Sequence, residues 1–565
     1  MAGARKKAVK AEAEARTEES VKDVFWADQL AGEIIERAKK EGRIATCKSA
    51  ASPSGAKHIG NLFDVMKAFF PYKSAVKKGG AARFIFTNDN MDPLRTIPDK
   101  LPDKAGRMQP TADFKEKFSK YLGMPYVDVP DPFDCCGSWS EHFNGVWLAG
   151  IYAMGVKENE LKVFSNDMLY AEGKFDPYIE LAFKGIDKTR AAYAPFHATM
   201  KPDYIPFHAI CANCGKITTK VTAFDIASKT VKYACTGRAL AGKYKIEGCG
   251  HAGEASWHEG KLPWKFEWPA AWGIFGVTFE PFGKEHAEGS WPAGQVIARE
   301  IYGFEPPIPH IYEFMLVNGK KMAARLGNVF IVQEILEVLE PEVLSFFYTK
   351  RSGKQRNFDV KNIHLLVNDF EKAERLYFGL EKEKNEEDFI TLARQYESAA
   401  SEVPAKAPKR IEYQFAAVVG QLAPDLATAI KMLRYSGHIG KDEKLSADDE
   451  GFIARRLSLG RNWARAFATE NLLEVRDMVP ADVKAKVKGK ERDSLRELSE
   501  LLKKDVGQDK LYNSFFEIAK NNGIEPKAFF RAVYLALLGK ESGPRLAPFI
   551  LALGKDRVRK ILEQV

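Results

Sequence analysis

Ser52-Pro53-Ser54-Gly55-Ala56-Lys57-His58-Ile59-Gly60-Asn61 is the stretch that decides how this chain is read. A Pro-Ser-Gly turn runs into His-Ile-Gly-Asn. An apolar run at helical spacing follows: Leu62, Val65, Met66, Phe69 and Phe70. Upstream, Ile44-Ala45-Thr46-Cys47 reads as a short buried strand. Downstream, Ala82-Arg83-Phe84-Ile85-Phe86-Thr87 reads as a second one. Strand, crossover helix, strand predicts a parallel pair within a doubly wound α/β sheet. Ligands in such sheets lie beyond the carboxyl ends of the strands. That places His58 and the polar run Asn88-Asp89-Asn90-Met91-Asp92 on one rim. Glycines at 55 and 60 let the backbone approach a nucleotide closely. N–H groups at a helix start favour anions, and an imidazole at 58 can donate to a phosphate oxygen as charge develops there.

Working outward, a second candidate nucleotide segment lies far downstream: Lys320-Lys321-Met322-Ala323-Ala324-Arg325-Leu326-Gly327-Asn328. A chain of 565 residues exceeds what one core supports, so three or more domains are expected. Residues 1–20 read as a flexible basic tail. Residues 21–310 read as a Rossmann-like catalytic domain, interrupted by an insertion at about 95–205 and a Gly- and Cys-rich β segment at about 206–258. Residues 311–400 carry the second nucleotide segment and a helical connection. Residues 401–565 read as all-helical. The charge balance of 85 Lys and Arg against 76 Asp and Glu, net +9, suits a polyanionic partner. No apolar run approaches the roughly 18–20 residues of a membrane span. The N-terminus lacks the apolar region of a secretory signal, so a cytoplasmic protein is expected.

Seven cysteines are too few and too unevenly placed for a disulfide framework. Six fall in two clusters. Asp131, Cys135, Cys136 and His142 offer oxygen, sulfur and nitrogen donors to one tetrahedral zinc. Cys211-Ala212-Asn213-Cys214, followed by Cys235 and Cys249-Gly250-His251, reads as a structural zinc ribbon. Its fourth ligand is either Cys249 or His251. Cys47, the cysteine left over, reads as a small buried apolar residue.

These residues together resemble the class I lysyl-tRNA synthetases, of the archaeal type. The likeness rests on Pro53-Ser54-Gly55 with His58-Ile59-Gly60-Asn61, Phe25-Trp26-Ala27, Asp92-Pro93-Leu94-Arg95, Pro130-Asp131-Pro132 and Leu262-Pro263-Trp264-Lys265. It continues through Phe279-Glu280-Pro281-Phe282-Gly283-Lys284-Glu285-His286, Pro341-Glu342-Val343-Leu344, Arg461-Asn462-Trp463 and Gly543-Pro544-Arg545-Leu546-Ala547. The resemblance implies activation of lysine with ATP and transfer to lysine tRNA, tRNA(Lys). It implies catalytic roles for His58, Asn61 and Lys321. It implies ATP contacts from Pro53, Ser54, Gly55, Gly60, Glu285, Met322 and Arg325, and a lysine pocket at Ala50, Ser52, Trp264 and His286, with Asp89 as a candidate acceptor for the ammonium. Mg²⁺ would accompany ATP. The family's Asp/Cys/His/His zinc ligands fall on Asp131, Cys135, Cys136 and His142, with cysteine in place of one histidine. The helical C-terminal part would read the anticodon end. Arg461, Trp463, Phe529, Phe530 and Arg531 have suitable chemistry, but helix-core and solvated-face readings of each are favoured.

Three departures stand out. The family's second motif, Lys-Met-Ser-x-Ser-Lys-Gly-Asn, here lacks both serines and the second lysine, with Arg325 as the one charged substitute. Loss of one transition-state donor typically costs about 2.7–4 kcal/mol, roughly 10²–10³ in rate. Glu285 replaces an aspartate, and Ala50 replaces a glycine beside the amino-acid pocket. Two alternatives therefore accompany the synthetase reading: a non-catalytic tRNA- or RNA-binding relative, and a class I synthetase for another amino acid such as glutamate.

Overall fold

In the computed structural model, five parallel strands carry the order that places the site: β1 (Ala45–Ala51), β2 (Ala82–Asn88), β3 (Leu161–Ser165), β4 (Phe279–Gly283) and β5 (Ile308–Tyr312). Their spatial order is β3-β2-β1-β4-β5. The structure describes residues 23–240, 244–322, 329–350, 353–473, 475–504 and 506–565. The predicted tail at 1–20 and the segment from Ala323 to Asn328, with Arg325, lie outside the described residues.

β1 pairs with β2 in register from Ala45↔Ala82 to Ala51↔Asn88, and with β4 at Cys47↔Phe279. Strand order therefore reverses at β1, and a crevice opens there beyond the carboxyl ends. Helices cover the sheet, so β1 is buried along most of its length and lacks the alternation of a half-exposed strand. Among them are α1 (Trp26–Lys40), which ends in basic residues that suit its dipole, and α2 (Leu62–Lys77), whose apolar residues include Leu62, Val65, Met66 and Phe70.

The stretch 95–205 is not an insertion throughout. β3 lies inside it and completes the sheet against β2, from Phe84↔Leu161 to Asn88↔Ser165. Only five residues long and flanked by helical runs, it carries a weak period-2 signal. What remains of the insertion includes the hairpin Lys100–Pro102 with Met108–Pro110 and helix α3 (Trp139–Ala153). The segment after residue 205 forms antiparallel strands, with Ala252–Ser256, Thr230–Ala234 and Lys220–Asp225 side by side.

The chain divides into two compact units. One comprises residues up to 336, 341–359 and 372–403. The other comprises 337–340, 360–371 and 404–565. The second is helical, with one core around Ile411, Val419, Leu433 and Ile453 and another around Leu498, Phe515, Phe529 and Leu537. Trp463 and Phe529 are core residues: both are buried, and Trp463 Nε1 donates to the Val360 carbonyl at 2.8 Å. Within this unit Arg456 is 1% exposed and lies between Glu340 and Glu371, at 2.6 Å from the latter. Removing one partner of a buried ion pair typically costs about 3–5 kcal/mol. Arg456→Ala removes the bonded cation from two carboxylates and leaves the Arg410 charge nearby, so urea unfolding should show the helical unit destabilised by up to about that amount.

Candidate active site

The loop after β1 is held in place from three sides. Trp139 Nε1 donates to the Pro53 carbonyl at 2.9 Å. Gly55 adopts φ +120°, and a Cβ there would lie 2.8 Å from Leu101 Cδ2. Only glycine meets both demands. Ser54 is exposed, and its hydroxyl accepts from Lys57 Nζ at 3.3 Å. At the helix start, Asn61 Oδ1 accepts the His58 N–H at 3.0 Å, which leaves the Asn61 amide nitrogen as its donor half. Burial, reinforced by the Lys57 charge, pulls His58 down to about 4, so its ring is neutral at pH 7. His58 Nδ1 is buried without a hydrogen-bond partner among the described residues.

The segment that ends at Met322 meets the His58 loop here. A Cβ on Gly60 would stand 2.5 Å from Met322 Cε and 2.9 Å from the His58 ring. His58 also bridges Ile331, and the Ile59 N–H donates to the Phe330 carbonyl at 2.9 Å. Lys321 is exposed on a short strand, with its ammonium 4.1 Å from the centre of the Phe314 ring. Glu285 is exposed just beyond β4.

Around the ends of β1, β2 and β4 lie the other predicted residues. Ala50 is half-buried opposite Thr87. Trp264 begins helix α4 (Trp264–Phe275). It stacks on Trp268 at 5.1 Å and lies 6.1 Å from His286, centre to centre. Burial lowers His286, against the opposing charge of Glu285 and Glu280. Asp89 is buried and accepts from Asn166 Nδ2 at 3.3 Å. Burial and the neighbouring Glu267 push its carboxyl up to about 7. Ser52 Oγ donates to Asp92 Oδ2 at 2.8 Å, and Lys261 lies 2.6 Å from the other oxygen of Asp92.

Both cysteine clusters converge. In the ribbon, Cys211, Cys214, Cys235 and Cys249 group together, with Sγ separations of 3.6 Å (Cys211–Cys249) and 3.7 Å (Cys214–Cys235). Cys249, not His251, is the fourth member. Hydrogen bonds from Asn213 and the His251 backbone hold its thiol down to about 6. In the other cluster, Cys135 Sγ stands 3.7 Å from Cys136 Sγ and 3.3 Å from His142 Nδ1, which is 3.2 Å from Asp131 Oδ1. Donors on one tetrahedral zinc, bound at about 2.0–2.3 Å, lie roughly 3.3–3.8 Å apart, so both sets fit. His142 Nε2 lies 3.0 Å from the Pro102 carbonyl, an arrangement that frees Nδ1 for a metal.

The family model described as tRNA synthetases class I (K) matches residues 24–401. The chain belongs to the class I lysyl-tRNA synthetases. A second model, described as an anticodon binding domain, matches residues 463–565. The lysine–tRNA ligase of Natronomonas pharaonis is 38% identical over 94% of this chain and 96% of its own length. That of Halobacterium salinarum is 35% identical over 95% and 96%. That of Methanocaldococcus jannaschii is 33% identical over 95% and 98%. The chain is thus an ATP-using class I synthetase with a helical anticodon-binding region.

Several polar residues around this rim drew no site role from sequence, although Lys57 and Asp92 stand in the stretches quoted above. Lys57 is half-buried and drawn down to about 8 by burial, against the pull of Asp89, Asp64 and Asp92. Asp64 on α2 is pushed up to about 7 by burial, although the Tyr312 hydroxyl favours its charged form. Asp92, Lys261, Glu267 and Tyr170 form a bonded set beneath Ser52. Its partners are too far apart in sequence for spacing to pair them.

Asp89 yields a stability test. Its folded carboxyl binds a proton between pH 4 and 7 where the unfolded one does not. Its ionisation therefore costs stability as pH rises through that window. Asp89→Asn should raise the thermal midpoint at pH 8, by about 1–4 kcal/mol of stability, with the gain shrinking toward pH 5.

Proposed function

We propose that the chain activates lysine with ATP and transfers it to tRNA(Lys), with the chemistry at the rim between β1 and β4. The observation that carries this reading is the meeting of Gly60 and His58 with Met322, which brings the two nucleotide segments to one place. The lysine carboxylate attacks the ATP α-phosphorus in line. A lysyl-adenylate forms and pyrophosphate leaves; Mg²⁺, which would accompany ATP, would offset charge on the phosphates. The 3′-terminal hydroxyl of tRNA(Lys) then attacks the adenylate carbonyl carbon, and AMP departs. Positioning and charge stabilisation dominate such a step.

In this reading His58 donates from a neutral ring and Asn61 from its amide, both to oxygens of the five-coordinate phosphorus. Pro53, Ser54 and Gly55 shape the phosphate loop. Gly60 leaves room for adenine beside Met322, Lys321 contacts the leaving pyrophosphate, and Arg325, outside the described residues, replaces part of the charge that the altered motif lacks. Glu285 borders the nucleotide at the end of β4. The indole of Trp264 suits an aliphatic stem and a cation. Ala50, Ser52 and His286 complete the lysine pocket, and Asp89 accepts the ammonium. The reaction class and partners are those of a cytoplasmic translation enzyme.

Zinc at Asp131, Cys135, Cys136 and His142 would lock the fold around the phosphate loop. His142 and Trp139 share helix α3, and Leu101, against Gly55, neighbours Pro102. Zinc at Cys211, Cys214, Cys235 and Cys249 would close the ribbon.

The deciding experiment charges total tRNA with labelled lysine, with glutamate and no-tRNA controls. Lysine attachment dependent on ATP and tRNA is expected. Retained tRNA binding without attachment would establish a non-catalytic relative, and glutamate attachment would establish another specificity. Metal analysis of the purified chain should find two zinc ions, and Cys214→Ser should leave one. Replacing Cys135 by serine should also leave one, and should lower charging activity by about 10-fold or more.

A further inference from the structure

A single buried ammonium links parts of the pocket that come from distant stretches of chain. Lys261 is 3% exposed and lies three residues before Trp264. Its Nζ is 2.6 Å from Asp92 Oδ1 and 2.7 Å from Glu267 Oε2. Asp92 accepts with its other oxygen from Ser52 Oγ at 2.8 Å. Glu267 accepts with its other oxygen from the Tyr170 hydroxyl at 2.9 Å. The Tyr170 oxygen in turn accepts the Leu262 N–H at 2.8 Å. The bonded series therefore runs from Ser52, the residue after β1, to the peptide two residues before Trp264.

We propose that Lys261 is a positioning residue for the amino-acid substrate: it sets Ser52 on one wall against Trp264 on the other, and it neutralises Asp92 and Glu267 so that Asp89 remains for the incoming ammonium. This rests on the lysine-pocket reading given above. Each carboxylate in the cluster has a distinct fate. Burial pushes Asp92 up, but Lys261 overrides it and holds the carboxyl below its ordinary value. Burial raises Glu267, and Lys261 opposes that rise. The Lys48 ammonium is bonded to Glu280 at 2.8 Å. Asp89 instead has the neutral amide of Asn166. Lys48, Lys57 and Lys261 act on Asp89 through their charge alone, and a substrate that carries an ammonium supplies a directly bonded cation. One without it leaves a buried carboxylate unpaired, a discrimination that buried polar sites make strongly.

The test measures KM for lysine, KM for ATP and kcat of tRNA charging by the full chain. Lys261→Met keeps a long side chain and removes the charge. It should raise KM for lysine about tenfold or more while KM for ATP stays within about twofold. Ser52→Ala should cost less in the Lys261→Met background than in wild type, because the two act through one bonded series. Tyr170→Phe removes only a hydroxyl, and it should raise KM for lysine a few-fold without moving KM for ATP. It carries the test if Lys261→Met fails to fold. An unchanged KM for lysine, a parallel rise in both KM values, or an equal effect of Ser52→Ala in both backgrounds overturns the proposal. Ser52→Ala and Trp264→Ala are the controls for the pocket itself. If they shift KM for lysine and the Lys261 and Tyr170 variants do not, the brace alone fails. If they leave it unmoved, the pocket reading fails and the brace with it.

Discussion

Everything at the site depends on the parallel pairing of β1 with β2 on one side and β4 on the other. Strand order reverses there, so the connections that leave β1 and β4 diverge and open a crevice at their carboxyl ends. A buried ion pair sits on this seam: Lys48 of β1 lies 2.8 Å from Glu280 of β4, and Trp272 Nε1 donates to the same carboxylate at 2.6 Å. Two charges taken out of water are tolerated only with such complete bonding. The pair ties the strand that leads into the His58 loop to the strand that ends at Gly283, three residues before His286.

The loop after β1 has little structure of its own to hold it. Its supports are the Trp139 indole on the Pro53 carbonyl and the packing of Leu101 beneath Gly55. Both supports belong to the segment that carries the Asp131, Cys135, Cys136 and His142 cluster. A metal bound there would act through the geometry of the loop. That is how a structural site becomes necessary for activity without touching a substrate.

Much of this was legible in the amino-acid order. The helix after His58, the strands either side of it and the Cys-x2-Cys ribbon follow from short-range spacing. Cys47 is buried, as its lone position suggests. The third strand of the sheet was not legible, because Leu161–Ser165 is short and reads as part of the surrounding insertion until β2 claims it. Cys249 and His251 are equally plausible ligands by spacing. The fold separates them by bringing the Cys249 sulfur to the other three.

Residue order alone set the local elements, the glycines at 55 and 60, and the donor types at each cluster. These depend on residues within a turn or two of each other, where backbone preference and side-chain periodicity act directly. The tertiary structure alone decided which charges are neighbours. Lys261 finds Asp92 across 169 residues, and Tyr170 finds Glu267 across 97. No local rule pairs them, because the partner of a buried charge is whichever opposite charge the packed strands and helices bring within reach. Asp89 shows the same dependence. As an aspartate in a loop it reads as a turn former, and only its burial beside Glu267 turns it into a carboxylate poised near neutrality.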